Sequence, residues 1–214
     1  MCEKCRLKLP LILSPFCKRC GQSLPKTLFH GKALNPNVCP ACRTRHFPFS
    51  MSRSVMIYDE DTAPLILKLK YGDHGELASV FADLCVLTHF DIFKNIDMII
   101  PVPLSIKRLL TRKYNQAALI GLEISKKIDV PMRTNLLKRK KFAGFQGGRS
   151  FKERQENVRD AFAISPLKKS GLEGKILLLV DDVMASGATI LSCAKVLKES
   201  GAKEVRVLTL ARSI

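Results

Sequence analysis

The most constraining feature of this chain is an apolar run of strand length that ends in two acids and continues into a loop of small side chains. Residues 176–189 read Ile-Leu-Leu-Leu-Val-Asp-Asp-Val-Met-Ala-Ser-Gly-Ala-Thr. A short, continuous apolar run is typical of a strand that is buried on both faces, as in a parallel sheet. We therefore predict a strand over residues 176–181, a helix over 188–200 and a further strand over 205–210.

The two acids, Asp181 and Asp182, and the loop after them form a predicted ligand site. They lie at the carboxyl end of the predicted strand, where open α/β sheets bind ligands. Small side chains allow backbone N–H groups to close around an anion, and the N-terminus of the following helix adds a favourable dipole. Because carboxylates accept hydrogen bonds from sugar hydroxyls, the pattern predicts a site for a sugar phosphate.

Two other classes of protein also carry a hydrophobic strand that ends in Asp-Asp. Nucleotide-hydrolysing P-loop proteins need a G-x-x-x-x-G-K-[ST] loop, and this chain has none: residues 171–175 read Gly-Leu-Glu-Gly-Lys and continue with Ile176. A phospho-acceptor domain has no need of the small-residue loop. The sugar-phosphate interpretation is therefore favoured.

The segment resembles the ribose-phosphate loop of the type I phosphoribosyltransferases. In that family two acidic residues hold the ribose hydroxyls of phosphoribosyl pyrophosphate, and the following loop binds its 5-phosphate. The resemblance implies that Asp181 and Asp182 are the ribose ligands and that Mg²⁺ accompanies the substrate. It implies a phosphate loop formed by Ala185, Ser186, Gly187, Ala188 and Thr189. Ala185 and Ser186 stand where the family often has two threonines, so one hydroxyl is missing from a cradle that is largely backbone.

The remainder of the chain alternates between strand and helix patterns. We predict strands over residues 54–58 and 97–101, and helices over 61–70, 76–89 and 116–128, the last capped by Asn115. Alternating strands and helices with short links imply an α/β fold with a mostly parallel sheet, of phosphoribosyltransferase type. We expect two domains: a small cysteine-rich, zinc-ribbon-like domain over residues 1–49 and a phosphoribosyltransferase-like domain over residues 50–214.

Three Cys-x-x-Cys pairs lie near the N-terminus: Cys2/Cys5, Cys17/Cys20 and Cys39/Cys42. The interval between the second and third pairs matches the C-x₂-C-x₁₅₋₂₀-C-x₂-C spacing of zinc ribbons. We therefore predict a structural zinc site whose four thiolate ligands are Cys17, Cys20, Cys39 and Cys42. A 50-residue unit has too little core to stand alone, so it needs the metal.

Cys2 and Cys5 leave three alternatives open. They are half of a second site, or they replace one of the other pairs, or the true start of the chain lies upstream. Cys85 and Cys193 lie in helical apolar patterns and are predicted to be core thiols.

The charge of the chain points to anionic partners. Its 214 residues include 36 Lys and Arg against 19 Asp and Glu, a formal net charge of +17. Such a surplus favours nucleic acid or anionic substrates, although a solvated basic surface without a specific partner has the same composition. The sequence has no apolar run of membrane-spanning length and no signal-peptide pattern, so we expect a cytoplasmic protein that is not membrane-inserted and whose thiols stay reduced.

Two further segments fit the phosphoribosyl interpretation. By resemblance, Lys70 and Tyr71 lie near the pyrophosphate loop; the alternative is a lysine-rich helix end that complements its own dipole. Arg112 is a third candidate for the pyrophosphate side and lies in a predicted basic loop after Pro101 and Pro103. In relatives of the glutamine-dependent enzyme of purine synthesis a mobile hood lies here. Lys113-Tyr114 stands where that pattern more often has Gly-Phe, so this chain lacks the glycine that makes such a hood flexible.

Residues 133–154 combine eight Lys or Arg with one acid and three interleaved phenylalanines. Basic side chains contact a phosphate backbone while aromatic rings stack on unpaired bases, so this stretch is a candidate site for single-stranded DNA. The alternative is that the phenylalanines anchor the core and the lysines are simply solvated. The DNA candidates are Lys138, Arg139, Lys140, Lys141, Arg149 and Arg154.

Taken together, these motifs resemble the ComF family, which includes ComFC and GntX. The resemblance rests on the paired cysteines and on the motifs Pro101-Val102-Pro103, Arg112 with Asn115-Gln116, Arg139…Gln146…Arg154…Asn157…Phe162, and Asp181-Asp182…Gly187…Thr189. It implies a zinc-finger head on a phosphoribosyltransferase fold, in a bacterial protein that handles incoming single-stranded DNA in natural transformation alongside DNA-uptake machinery.

Three functions follow as expectations. The first is a competence protein that binds phosphoribosyl pyrophosphate and assists uptake of single-stranded DNA. The second is an active phosphoribosyltransferase with an unknown acceptor, for which the sequence assigns no catalytic residue. The third is a zinc-ribbon adaptor with a vestigial ligand site.

Overall fold

The computed structural model describes residues 9–25, 37–71, 74–140, 161–165 and 171–213. The strands of this part are β1 (Met51–Ile57), β2 (Met98–Pro101), β3 (Leu137–Arg139), β4 (Phe162–Ile164), β5 (Ile176–Met184) and β6 (Glu204–Arg212). Four of them form a parallel sheet in the order β1-β6-β5-β2, and β3 pairs antiparallel with β4. The predicted α/β fold with a mostly parallel sheet is confirmed.

The helices of the described part are α1 (Pro40–Thr44), α2 (Ala63–Tyr71), α3 (Leu77–Thr88), α4 (Ile106–Arg112), α5 (Gln116–Ile128) and α6 (Ala188–Glu199), with a 3₁₀ turn at Phe90–Phe93. The predicted helices begin within two residues of α2, α3, α5 and α6. Asn115 caps α5 as predicted, because its side chain accepts a hydrogen bond from the Ala118 amide at 3.4 Å.

The sheet is buried on both faces, as its apolar central strand predicts. Leu178 and Val180 of β5 pack in one core cluster together with residues of α2, α3 and α5. Leu177 and Leu179 pack in a second cluster with residues of α6 and of the β3–β4 pair. Because successive side chains of a strand point to opposite faces, this alternation fixes which face each later residue of β5 occupies.

The N-terminal segment covers the outer edge of β1. The Ile57 amide donates to the Pro10 carbonyl at 3.0 Å, and the Ile12 amide donates to the Val55 carbonyl at 2.9 Å. Gly21 lies against the same strand with a φ of +71°, and a Cβ added there would lie 2.5 Å from the Ser52 carbonyl oxygen. Only glycine satisfies both conditions. A sheet edge with open hydrogen-bonding groups is thereby paired within the chain.

Three differences from the expectation matter most for the site. Helix α4 lies in the stretch that we expected to be a basic loop, and Ser105 caps it. Its apolar residues Ile106, Leu109 and Leu110 recur at helical spacing, but all three are exposed. The strands β3 and β4 have three residues each and were not predicted. The third difference is the length of β5, which continues to Met184 because β6 extends to Arg212 and keeps pairing with it.

Among the described residues, no helix combines the length and the apolar character that crossing a membrane requires. The division into domains at residue 49 stays a prediction.

Candidate functional site

The candidate ligand site lies where β5 extends beyond its neighbour β2. The last pair between these strands joins Pro101 and Val180, and the Val102 amide donates to the Val180 carbonyl at 2.9 Å. Asp181 and Asp182 follow immediately, paired with β6 on one side only. We expected the two acids at the end of β5, but β5 continues to Met184. The acids are instead level with the carboxyl end of β2, and the crevice beside them is where α/β sheets bind ligands.

The two acids face opposite sides of the sheet. By the alternation along β5, Asp182 shares the face of Val180, toward α2 and α5, and Asp181 shares the face of Leu179, toward α6. The contacts agree with this assignment, since Asp182 pairs with Lys70 of α2. The acids therefore meet different chemical surroundings.

Asp182 lies between two cations. Its Oδ2 atom is 3.2 Å from Lys70 Nζ and 3.9 Å from a terminal guanidinium nitrogen of Arg112. The Arg112 guanidinium also donates to the Tyr71 hydroxyl at 3.4 Å and lies over the Tyr71 ring at 5.3 Å. The structure thus brings Lys70, Tyr71 and Arg112, which the sequence proposed for the pyrophosphate side, to one of the two acids.

Gln116 holds this group together, and sequence reasoning gave it no role in the site. Its buried side chain accepts a hydrogen bond from Arg112 at 3.2 Å and donates to the Lys70 carbonyl at 3.4 Å. The Tyr114 hydroxyl donates to the Leu69 carbonyl at 2.9 Å. The start of α5 is therefore fastened to the end of α2. The sequence signal that could have pointed to Gln116 is the polar Asn-Gln pair that directly follows a basic stretch.

Asp181 has a strongly perturbed carboxyl group. Burial, followed by the negative charge of Asp182, raises the pKa of Asp181 to about 8, while the positive charges of Lys70 and Arg108 act in the opposite direction. Arg108 of α4 is a second residue that sequence reasoning missed. Its charge also lies close enough to Arg139 to add to burial in lowering the pKa of that guanidinium.

The loop between β5 and α6 is open to an anion. Ala185 and Ser186 are exposed, and Gly187 adopts a φ of +75° at the N-cap of α6. Ser186 Oγ accepts a hydrogen bond from the Ala188 amide at 3.4 Å. Within the described residues, the N–H groups of Ser186, Gly187 and Thr189 have no hydrogen-bond partner. Free amides at a helix N-terminus are a favourable position for a phosphate.

Four cysteines form a cluster that can hold a metal ion. The sulfur atoms of Cys17, Cys20, Cys39 and Cys42 all lie within 4.8 Å of one another. The 3.7 Å between Cys20 Sγ and Cys39 Sγ matches the edge of about 3.8 Å in a tetrahedron with metal–sulfur bonds of about 2.3 Å. All four are free thiols. The donor set therefore fits the predicted tetrahedral site, while Cys2 and Cys5 lie outside the described residues.

The pKa values of these thiols are shifted in opposite directions by their closeness and burial. The hydrogen bond from the Cys20 thiol, acting against burial, lowers the pKa of Cys17 to about 4. Burial raises the pKa of Cys42 to about 12. Four close thiolates in a buried setting repel one another, and a divalent ion supplies the charge that lets all of them ionise.

The DNA candidates divide into three groups. Lys138 and Lys140 are exposed on and beside β3. Arg139 points to the other face, where its guanidinium lies 5.5 Å from the Phe162 ring centroid. The remaining candidates, Lys141, Arg149 and Arg154, lie outside the described residues. Of the described candidates, the two lysines are the most accessible to a nucleic acid.

The parallel sheet, the acid-bearing strand and the small-residue loop before α6 give the chain a fold of phosphoribosyltransferase type. The family model described as phosphoribosyl transferase domain matches residues 115–213.

Three curated proteins are similar to the whole chain or nearly all of it, and not only to this domain. The chain is 29% identical over 218 residues to Competence protein F of Haemophilus influenzae, covering all of this chain and 90% of that protein. It is 27% identical over 203 residues to the DNA utilization protein YhgH of Escherichia coli K12, covering 92% and 84%. It is 27% identical over 219 residues to Competence protein ComFC of Bacillus subtilis, covering 100% and 84%. The resemblance to the ComF family is confirmed by these homologues and by the cysteine cluster.

The raised pKa of Asp181 predicts that the folded state loses stability as the pH rises. Its folded pKa, about 8, lies above the ordinary value of 3.8, so the folded state binds more protons than the unfolded state between these values. The free energy of unfolding should fall across this window, by about 1 kcal/mol or more. In urea unfolding between pH 5 and 8.5, Asp181→Asn should show a smaller decline than the wild type, whereas the exposed control Asp61→Asn should follow the wild type. Parallel profiles for all three proteins would contradict the assignment.

Proposed function

We propose that this chain binds phosphoribosyl pyrophosphate with Mg²⁺ and assists the uptake of single-stranded DNA in natural transformation. The observation that carries the proposal is the open loop at residues 185–189, whose free amides follow two acids at the crevice of the sheet. The names of the relatives, Competence protein F and DNA utilization protein YhgH, support the link to DNA.

Each chemical group of the proposed ligand has residues in the site that suit it. Its 5-phosphate takes the loop amides and the positive end of the α6 dipole. Its ribose hydroxyls donate to Asp181 and Asp182. Its pyrophosphate takes the side where Lys70 and Arg112 lie, 3.2 and 3.9 Å from Asp182. Mg²⁺ prefers carboxylate and phosphate oxygens, which this set of residues and the ligand provide between them.

The cysteine cluster, in our proposal, holds a structural zinc ion. Four sulfur ligands fill a tetrahedral site and leave no open position for a reacting molecule, so the metal stabilises and does not catalyse. We place the protein in the cytoplasm, where thiols stay reduced.

Single-stranded DNA is proposed to bind the basic surface that begins at β3. Two exposed lysines, Lys138 and Lys140, lie at its described start, and the chain carries a net charge of +17. Such binding neutralises phosphates and releases counterions, so it weakens steeply as salt is raised.

The lysines give a test of this surface. We expect the double variant Lys138→Ala/Lys140→Ala to lower the slope of log affinity against log salt by about 1.4, because each lost phosphate contact on a single strand contributes about 0.7. Fluorescence anisotropy with a labelled oligodeoxythymidine measures the slope. The control Lys195→Ala/Lys203→Ala removes the same charge from other exposed positions and should change the slope less. An equal change in both double variants would indicate binding through overall charge alone.

A working phosphoribosyltransferase is the second candidate function. The cations Lys70 and Arg112 are placed where they can stabilise a departing pyrophosphate. Release of pyrophosphate on addition of candidate acceptors would support this function, and binding without release would support the first.

A further inference from the structure

The loop between Cys17 and Cys20, here called the first knuckle, is fastened to the parallel sheet by three successive carbonyl groups. The Lys18 carbonyl accepts a hydrogen bond from the Arg53 guanidinium of β1 at 3.0 Å. The Arg19 carbonyl accepts from the Ser52 amide at 2.7 Å. The Cys20 carbonyl accepts from the Arg212 guanidinium of β6 at 2.7 Å. Each carbonyl of the knuckle that follows Cys17 is therefore held from outside the knuckle.

One of the two arginines, Arg53, is also held by contacts outside the knuckle. Arg53 is only 3% exposed; it pairs with Asp91 at 2.7 Å and lies 4.6 Å from the centroid of the Phe16 ring. Arg212 is the last residue of β6, where it is in register with Met184 of β5. The Arg53 guanidinium is consequently oriented by contacts outside the knuckle, whereas the Arg212 guanidinium is held by the Cys20 carbonyl, and its Nε atom is buried without a hydrogen-bond partner among the described residues.

The same knuckle is tied to the other cysteine pair. The Arg19 guanidinium donates to the Cys42 carbonyl at 3.1 Å and to the Arg45 carbonyl at 3.3 Å. The Cys39 amide donates to Cys17 Sγ at 3.3 Å. The relative position of the two pairs thus depends on the knuckle, which itself depends on the sheet.

We propose that Arg53 and Arg212 are positioning residues for the metal at the four-cysteine cluster, so that the phosphoribosyl transferase sheet sets part of the metal affinity. The inference rests on the proposed zinc site. Two physical effects carry it. Hydrogen bonds to the knuckle carbonyls hold the thiolates in place before the ion arrives, and two guanidinium charges offset the net negative charge of a divalent ion with four thiolates.

Metal binding at the cysteine cluster and the stability of the sheet edge are then thermodynamically linked. A ligand that binds only the folded state stabilises that state, so tighter metal binding and a more stable sheet edge accompany each other. Arg212 offers the cleaner test because Arg53 also has a buried ion pair to lose.

The test is zinc affinity of the full chain, measured by competition with a chromophoric chelator. We expect Arg212→Ala to bind zinc about 10- to 100-fold more weakly than the wild type, the usual effect of removing an outer partner of a metal site. Arg212→Lys, which keeps the charge and one donor, should recover part of the loss. Arg133→Ala removes an exposed arginine elsewhere and should leave the affinity unchanged.

A second measurement separates positioning from a purely structural role. If Arg212 positions the metal, the Arg212→Ala change lowers the melting temperature of the zinc-loaded protein by more than it lowers that of the zinc-free protein. Zinc affinity within about fivefold of the wild type, or equal losses in the two forms, would overturn the inference. Neither result touches the proposed zinc site itself, which fails only if the wild type binds no zinc through these cysteines.

Discussion

Changing Asp181 and Asp182 together to asparagine is expected to abolish magnesium-dependent binding of phosphoribosyl pyrophosphate. Asparagine keeps the size of each side chain but cannot ionise, whereas a bound Mg²⁺ favours the ionised form of both acids, including Asp181 with its raised pKa. That negative charge attracts the ion and strengthens hydrogen bonds from sugar hydroxyls. Two lost charge-assisted interactions cost about 3 kcal/mol or more, which corresponds to a loss of affinity of at least about 100-fold. Isothermal titration calorimetry with and without Mg²⁺ measures the effect.

A matched control exists in the same chain. Glu60 and Asp61 are also neighbouring acids, and both are exposed. The variant Glu60→Gln/Asp61→Asn removes the same two charges and should bind the ligand as the wild type does. Equal binding by the wild type and the Asp181/Asp182 variant would indicate capture of an anion by the basic surface, and the proposed site would be wrong.

Single variants divide the site further, because the two acids face opposite sides of the sheet. Asp182 alone meets Lys70 and Arg112, so its change should disturb the pyrophosphate side as well as the ribose. Asp181 lies among other groups, and the positive charges that act on its pKa are those of Lys70 and Arg108. Different losses for the two single variants would therefore reflect these different surroundings.

Loss of the metal is expected to produce the largest change in stability. We expect one zinc ion per chain, absent after Cys17→Ser/Cys39→Ser, and a fall of more than about 4 kcal/mol in the free energy of unfolding. The reason is that the described cluster has only Leu24 as a further buried apolar residue, so apolar packing adds little to the few hydrogen bonds that join the two cysteine pairs. Elemental analysis gives the zinc content, and urea unfolding gives the stability.

The remaining described cysteines provide the control. Cys85 of α3 and Cys193 of α6 are buried in the two core clusters of the sheet. The variant Cys85→Ser/Cys193→Ser makes the same chemical change and should keep one zinc ion per chain. Zinc retained after the change of Cys17 and Cys39 would move the ligands elsewhere.

The sequence predicted those parts of the fold whose signal is local. The apolar run of β5, the small residues after it and the cap at Asn115 each determine their own conformation, and the cysteine spacing reflects the geometry of one tetrahedral site. The length of β5 was wrong because it depends on how far β6 continues beside it.

The parts that could not be predicted depend on contacts between distant segments. Helix α4 has Ile106, Leu109 and Leu110 at helical spacing, but these residues are exposed, and the two prolines before the helix favoured a loop. Gln116 and Arg108 enter the site only because α2, α4 and α5 converge on the end of β5. The hydrogen bonds from Arg53 and Arg212 to the first knuckle join residues far apart in the chain, and a single sequence carries no local trace of them.

The most direct test of the central claim is a crystal structure of the chain with phosphoribosyl pyrophosphate and Mg²⁺. We expect the 5-phosphate on the amides of residues 186–189 and the ribose hydroxyls on Asp181 and Asp182, with the pyrophosphate near Lys70 and Arg112. A ligand that is bound elsewhere, or a loop that stays empty at saturating ligand, would contradict it.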